Sequence, residues 1–286
     1  MNSLAVLGAG GMLGQDLMEV LAPHNPRGLT RADVDVTSSR QVRDALQGVR
    51  TVINAAAYTR VDAAESNEDT AFQVNAVGAR IVAEACKELG ARLIHVSTDY
   101  VFGGDSTVPY PEDHPLSPRS AYGRTKAAGE RRVLSSHPDQ SIIIRTAWLY
   151  GEHGPNFVST MLSLARKQDS VSVVTDQVGQ PTWSKDLARM IAALADSSVA
   201  SGIFHGTNSG QASWWEFART IFTHAGFDPE RGLPTTSAEF VREAPRPAWS
   251  VLGHQEWSAH SLPEPRSWHE AFAEAWSEVF SEKNEA

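Results

Sequence analysis

The stretch LAVLGAGGMLG, residues 4–14, constrains the fold more than any other. A short apolar run ends in glycines, and Met12, Leu13, Leu17, Val20 and Leu21 then recur at helical spacing, which predicts a strand, a tight turn and a helix. Gly8, Gly11 and Gly14 give the spacing G-x-x-G-x-x-G. Glycine is needed where a backbone turns sharply and lies against a pyrophosphate, and a helix N-terminus offers unpaired N–H groups to that anion. A glycine-rich turn without a ligand has the same spacing, so its place between strand and helix gives the dinucleotide reading its weight.

The unit repeats along the first half. RGLTR and a short helix around SRQVRDAL come next, then TVINAAA and the helix of AVGARIVAEACKELG, which Gly90 stops. The strand ARLIHVST, a helix from Tyr122 to Leu134 and the strand SIIIRTAWLY follow. Continuous apolar strands between helices belong to a parallel sheet covered on both faces. The fold class expected is α/β, a Rossmann-like doubly wound parallel sheet with a smaller C-terminal substrate-binding lobe.

All eight tryptophans fall at or after Trp148. That shift places the dinucleotide-binding domain at residues 1–147 and the lobe at 148–286, with part of 171–207 expected to pack back on the sheet. The lobe is predicted to carry helices at FVSTMLSLARKQ, Asp186 to Leu194 and SWWEFARTIFTHAG, and a last helix starting at Ser267. Ser267 and Glu270 have capping-box spacing, and Trp268, Phe272, Trp276 and Phe280 recur every four residues as core. Trp214 and Trp215 open a helix and also read as core.

Composition narrows the function classes. A formal net charge of −9 with scattered arginines gives no basic footprint, so nucleic acid is not an expected partner. The single cysteine, Cys86, allows no internal disulfide and no cysteine-built metal site. No stretch approaches the ~20 apolar residues of a membrane span, and the N-terminus has no basic leader, so a cytoplasmic protein without membrane contact is expected.

SAYGRTKAAGE, residues 120–130, places Tyr122 four residues before Lys126. On a helix these share a face, so the ammonium is expected near the phenol, where it favours the ionised form and brings the phenol towards the range useful for proton transfer. A solvated lysine on an amphipathic helix is the plain alternative. The glycine fingerprint upstream and the strand ending in Ser97 and Thr98 favour the chemical one. At the end of the second strand, LTRADVDV puts Thr30 and Arg31 where an acidic residue would hold a ribose 2′-hydroxyl, and Arg suits a 2′-phosphate. NADPH is the expected cofactor, with NADH open; Asp35 and Val36 fall beside the adenine.

The motifs NAAAYTRVDAAE, VNAVGA, VSTDYVFGG, YGRTKAAGE, IRTAWLYG, NFVSTML, DQVGQPT and APRPAWSVL span nearly the whole chain. Through them it resembles the extended short-chain dehydrogenase/reductases, and within them the dTDP-4-dehydrorhamnose reductases. The resemblance implies a catalytic triad of Thr98, Tyr122 and Lys126. Thr98 would bond the carbonyl oxygen at the sugar's carbon 4, Tyr122 would protonate it as hydride arrives, and Lys126 would hold the nicotinamide ribose. Gly8, Gly11, Met12, Leu13, Gly14, Ala55, Ala56 and Ala57 would line the cofactor. Asn75 would lie near the nicotinamide or cap a helix beginning at Ala76. Asp99, Trp148, Asn156, Gln177 and Arg246 would meet the substrate, a dTDP-4-keto-6-deoxysugar, with Trp148 over the sugar ring and Arg246 on the diphosphate.

Nucleotide-sugar 4,6-dehydratases place an Asp-Glu pair after the threonine; Thr98-Asp99-Tyr100 lacks the Glu, which disfavours dehydration. A 4-epimerase would use the same triad, and a non-catalytic NADP-binding regulatory subunit would share the fold. The segment between Phe102 and Tyr110 is short. Some relatives dimerise through a carboxylate-bound Mg²⁺ whose ligands have no match here, so no metal is assigned, and monomer and homodimer both stay open.

Overall fold

The computed structural model describes residues 4–281. β1 (Leu4–Leu7) is buried throughout and turns through glycines into α1 (Met12–Val20). β2 (Arg27–Leu29), α2 (Ser39–Ala45) and β3 (Thr51–Asn54) continue the alternation, with the Ser38 hydroxyl accepting from the Gln41 N–H to cap α2. After β3 come α3 (Val61–Ser66), α4 (Glu68–Phe72), a π-helical turn over Gln73–Gly78, and α5 (Ala79–Leu89). Gly90 ends α5 at φ +67°. β4 (Arg92–Thr98), α6 (Ala121–Ser136) and β5 (Ser141–Thr146) follow.

The second half is built from shorter strands. β6 (Leu149–Tyr150), α7 (Phe157–Lys167), β7 (Val171–Val174), β8 (Val178–Gly179) and β9 (Thr182–Trp183) lead into α8 (Ser184–Asp196) and β10 (Gly202–His205). β11 (Ala212–Ser213), α9 (Trp214–His224), β12 (Gly232–Thr235), α10 (Gln255–Ala259) and α11 (Trp268–Ala275) follow, and α11 runs on into a π-helical turn over Trp276–Phe280. The Ser267–Glu270 capping box starts α11 in the expected place. Among the described residues no helix is long and apolar enough to cross a membrane.

One six-stranded sheet dominates, in the order β10-β5-β4-β3-β1-β2. Its ladders are all parallel. The chain steps outward from β1 to β2 and then returns to β3 on the other side of β1, so the strand order reverses between β1 and β3. The ends of β1 and β3 therefore open a crevice, where such sheets bind ligands. One face of the sheet is covered from α2 and α5 by residues such as Val42, Val82 and Cys86. The other is covered from α1 and α8 by Leu17, Leu187 and Ile191. A separate core of Tyr150, Phe217, Phe272 and Phe280 holds the lobe together. Its chain is not segregated from the sheet, because β10 forms the sheet's edge beside β5.

The helix expected from Ala76 is instead one continuous run from α4 through the π turn into α5, so Asn75 lies inside it and does not cap it. That π turn packs on α6. A Cβ at Gly129 would stand 2.2 Å from the Asn75 carbonyl oxygen, and one at Gly123 2.2 Å from the Tyr100 carbonyl oxygen. Only glycine lets α6 lie this close to its neighbours, and this approach fixes Tyr122 and Lys126. Gly129→Ala is expected to cost about 1–3 kcal/mol, a fall of about 2–12 °C in Tm by calorimetry. An unchanged Tm would contradict the close packing.

Candidate active site

A groove of about 900 Å³ crosses the crevice. Gly8, Gly11, Met12, Leu13, Gly14, Arg31, Asp35, Val36, Ala55, Ala56, Ala57, Tyr122 and Lys126 all line it. Gly8 has φ +82°, and a Cβ there would stand 2.8 Å from the Ala56 nitrogen. The Gly14 Cβ would meet the Gly8 carbonyl oxygen at 2.1 Å. The turn is thus closed by backbone on backbone, and the first N–H groups of α1 have no side-chain cap. A pyrophosphate suits that vacancy of partners.

At the outer end the acidic residues close local turns. Asp33 accepts from the Thr30 N–H (2.8 Å) and hydroxyl (2.6 Å), and Asp35 from the Thr37 N–H (2.9 Å) and hydroxyl (2.7 Å). These hydrogen bonds hold both carboxyls below their ordinary range. Arg31 is exposed at the groove, and its charge also lowers Asp35. An anionic group on an adenosine ribose would find there a cation rather than a free carboxylate.

The inner end holds Tyr122 and Lys126 from α6, whose first turn is capped by the Ser120 hydroxyl accepting from the Gly123 N–H (3.0 Å). The expected effect of Lys126 on Tyr122 is not what the structure gives. Lys126 Nζ donates to the Val96 carbonyl at 2.6 Å. Burial pushes the Tyr122 phenol up, the Thr98 hydroxyl partly opposes that, and the Asp99 charge adds to it. Burial also lowers Lys126 to about 8. Desolvation outweighs any charge attraction here because both side chains are buried.

Thr98 ends β4, in register with Thr146 at the end of β5. Its hydroxyl donates to Asp99 Oδ1 (2.9 Å) and accepts from the Tyr100 N–H (3.3 Å). Asp99 is 3% exposed, and burial pushes its carboxyl up to about 6. The Ser250 hydroxyl stands near enough to favour the ionised form, yet neither Asp99 Oδ2 nor Ser250 Oγ completes a hydrogen bond.

Beneath these lies a buried pair that the sequence reading missed. Arg145 Nη2 meets Glu130 Oε2 at 2.8 Å, and the Ser97 hydroxyl donates to Glu130 Oε1 at 2.5 Å. Arg145 Nη1 also donates to the Glu112 carbonyl (2.9 Å). A charged residue inside the apolar run SIIIRTAW was the available signal.

Several expected ligand residues have other partners. Asn75 is 1% exposed; its Oδ1 accepts from the Tyr58 N–H (2.8 Å), and its Nδ2 donates to the Tyr58 carbonyl (3.1 Å) and the Thr125 hydroxyl (3.0 Å). It ties three segments together and does not face the groove. Asn156 caps α7 by accepting from the Ser159 N–H (3.1 Å) and donates to the Gly151 carbonyl (3.0 Å), a structural position. Gln177 Nε2 donates to the Ser237 hydroxyl (2.8 Å). Arg246 Nη2 bonds both oxygens of Asp62 at 2.9 Å, while its Nη1 is buried without a partner. Trp148 lies at φ +47° and stacks on Trp214, with ring centroids 3.5 Å apart and planes 6° from parallel. One face of Trp148 is therefore covered by a residue expected in the core, and an open sheet over a sugar ring is not its arrangement.

The RmlD substrate binding domain family matches residues 1–280. The chain belongs to this family. It is 46% identical to the dTDP-4-keto-6-deoxy-D-glucose reductase of Streptomyces niveus, over 95% of each chain. It is also 46% identical to the dTDP-4-dehydrorhamnose reductase of Streptomyces griseus, over 95% of this chain and 92% of the relative. The crystal structure of a dTDP-4-dehydrorhamnose reductase from Bacillus anthracis in complex with NADP superimposes with a TM-score of 0.93 at 38% identity, covering 98% of this chain and all of that one.

In this RmlD-family site the buried Asp99 carboxyl has a consequence for stability. Its folded-state value of about 6 lies above the ordinary 3.8. Between those values the folded protein keeps a proton that the unfolded chain has released, so stability falls as pH rises from about 4 to 6 and stays lower above. Asp99→Asn removes that loss. Urea unfolding should find the variant more stable by up to about 3 kcal/mol at pH 8 and no more stable at pH 4. The same difference at both pH values would contradict the burial effect.

Proposed function

We propose that this chain reduces the 4-keto group of dTDP-4-dehydro-β-L-rhamnose to give dTDP-L-rhamnose, with NADPH as the reductant. The observation that carries the reading is the meeting of Tyr122 and Lys126 at the inner end of the groove, with Thr98 behind them. The names of the Streptomyces relatives support the reaction class, and the NADP in the Bacillus anthracis structure supports the cofactor.

The groove fits such a dinucleotide. The glycine turn lines the groove with backbone alone and leaves the first N–H groups of α1 without a side-chain cap, which suits a pyrophosphate, and Arg31 stands where a 2′-phosphate would need a cation. When bound, NADPH supplies the hydride. Tyr122, kept protonated by burial, gives its phenolic proton to the oxygen at carbon 4. Lys126, with a pKa of about 8, is mostly charged at neutral pH and would hold the ribose hydroxyls of the bound cofactor. Thr98 orients the carbonyl. The unpartnered Arg246 Nη1 is a donor for the substrate's diphosphate.

A second reading is a 4-ketoreductase for another dTDP-linked deoxysugar, favoured by the Streptomyces niveus relative, whose identity equals that of the rhamnose-type one. Turnover of the two keto-sugars side by side, with products separated by chromatography, decides between them. Neither being reduced while NADPH binds would overturn both.

Tyr122→Phe is expected to lower kcat by at least ~100-fold while leaving the NADPH Kd within about twofold. A matching loss of NADPH binding would mean a structural role. Arg31→Ala should weaken NADPH about tenfold and leave NADH unchanged, because only the phosphate contact is lost. Equal weakening of both cofactors, measured by fluorescence titration, would remove Arg31 from the 2′-phosphate.

A further inference from the structure

Thr98 has one hydroxyl proton, and it is directed at Asp99 Oδ1 over 2.9 Å. In that arrangement Thr98 can accept a hydrogen bond but has none to offer a carbonyl oxygen. A protonated Asp99 reverses the bond, because a carboxylic acid is a donor and the threonine oxygen an acceptor. We propose that Asp99 is a positioning residue for the reduction, whose neutral carboxyl donates to Thr98 Oγ1 and so turns the Thr98 proton towards the substrate's carbonyl oxygen. The proposal rests on the roles given above to Thr98 and Tyr122.

The surroundings favour the neutral carboxyl. Asp99 is buried, its Oδ2 lacks a hydrogen-bond partner, and Ser250 is the polar side chain that the C-terminal segment brings beside it. The titratable groups facing it are Tyr100 on its own turn and Tyr122 from α6, both kept uncharged by burial. The cations of the site point elsewhere, Lys126 to the Val96 carbonyl and Arg246 to Asp62. Burial accordingly pushes the carboxyl up to about 6.

An ionised Asp99 would oppose the reaction twice. It raises Tyr122, making the phenol a weaker acid, and it repels the negative charge that develops on the carbonyl oxygen. With Asp99 neutral, both penalties disappear and a donor is gained. The proton balance is simple: carbon 4 takes the hydride, its oxygen takes the Tyr122 proton, and Asp99 keeps its own.

The test is kcat/KM for the keto-sugar at saturating NADPH from pH 5.5 to 8.5, corrected for acid decay of the cofactor, in wild type, D99N and S250A. Wild type should fall about tenfold per pH unit above a break near pH 6. D99N should show no break near pH 6, whatever its absolute rate, because an amide donates at every pH. It should keep only the later fall near pH 8 that loss of the Lys126 charge produces. S250A should move the break to higher pH, since a hydroxyl that favours the charged form is gone. NADPH binding and Tm, taken alongside, show whether D99N is folded; if it is not, the wild-type limb and its shift in S250A decide.

A wild-type profile without the limb overturns the proposal, as does a break near pH 6 that D99N retains, which is how titration of the cofactor's 2′-phosphate would appear. A break that S250A leaves in place also overturns it. Wild type that binds NADPH but reduces no keto-sugar at any pH instead overturns the functional reading on which the proposal rests.

Discussion

A methyl group at Gly14 would stand 2.1 Å from the Gly8 carbonyl oxygen, and one at Gly8 2.8 Å from the Ala56 nitrogen. Backbone therefore meets backbone where β1 leaves the sheet, at the point where the strand order reverses between β1 and β3. The groove exists because those segments come this close without side chains between them. α6 repeats the device at Gly123 and Gly129 against Tyr100 and Asn75, which brings Tyr122 and Lys126 to the same groove. The site is thus set by close approach of main chain, with reactive side chains hung on elements that have little room to move.

Burial then sets the chemistry. Tyr122, Lys126 and Asp99 are each shifted mainly by desolvation, which favours the neutral form in every case. A phenol kept protonated and a carboxyl with a raised pKa both suit a site that must deliver a proton and tolerate developing negative charge. The Glu130–Arg145 pair supports the floor of this region. It is buried, and Ser97 and the Glu112 carbonyl satisfy further polar atoms around it. Such a pair is costly to break from one side, so it helps hold β4, β5 and α6 in a single arrangement.

The parts of the structure legible in the sequence are those with local causes. The glycine spacing after β1, the helical periodicity of α1 and the Ser267–Glu270 cap depend on neighbours within a few residues, and all three appear as read. What the sequence concealed depends on contacts distant along the chain. Tyr122 and Lys126 do share a face of α6, yet the ammonium points to Val96 on β4, a choice that helical spacing cannot reveal. Asn75 reads as a cap or a ligand because nothing local shows the Tyr58 backbone and the Thr125 hydroxyl converging on it. Trp148 and Trp214 lie 66 positions apart, and their stacking follows from the packing of the lobe, not from the character of either segment.

The most direct test of the chemistry is to follow the hydrogen itself. Incubation of the protein with [4,4-²H₂]NADPH and dTDP-4-dehydro-β-L-rhamnose, followed by proton NMR of the sugar product, reports where the hydride lands. One deuterium at carbon 4 of dTDP-L-rhamnose, formed by wild type at least ~100-fold faster than by Tyr122→Phe, is the expected result. A product without deuterium at carbon 4, or labelled product formed by Tyr122→Phe as fast as by wild type, would contradict hydride reduction assisted by Tyr122.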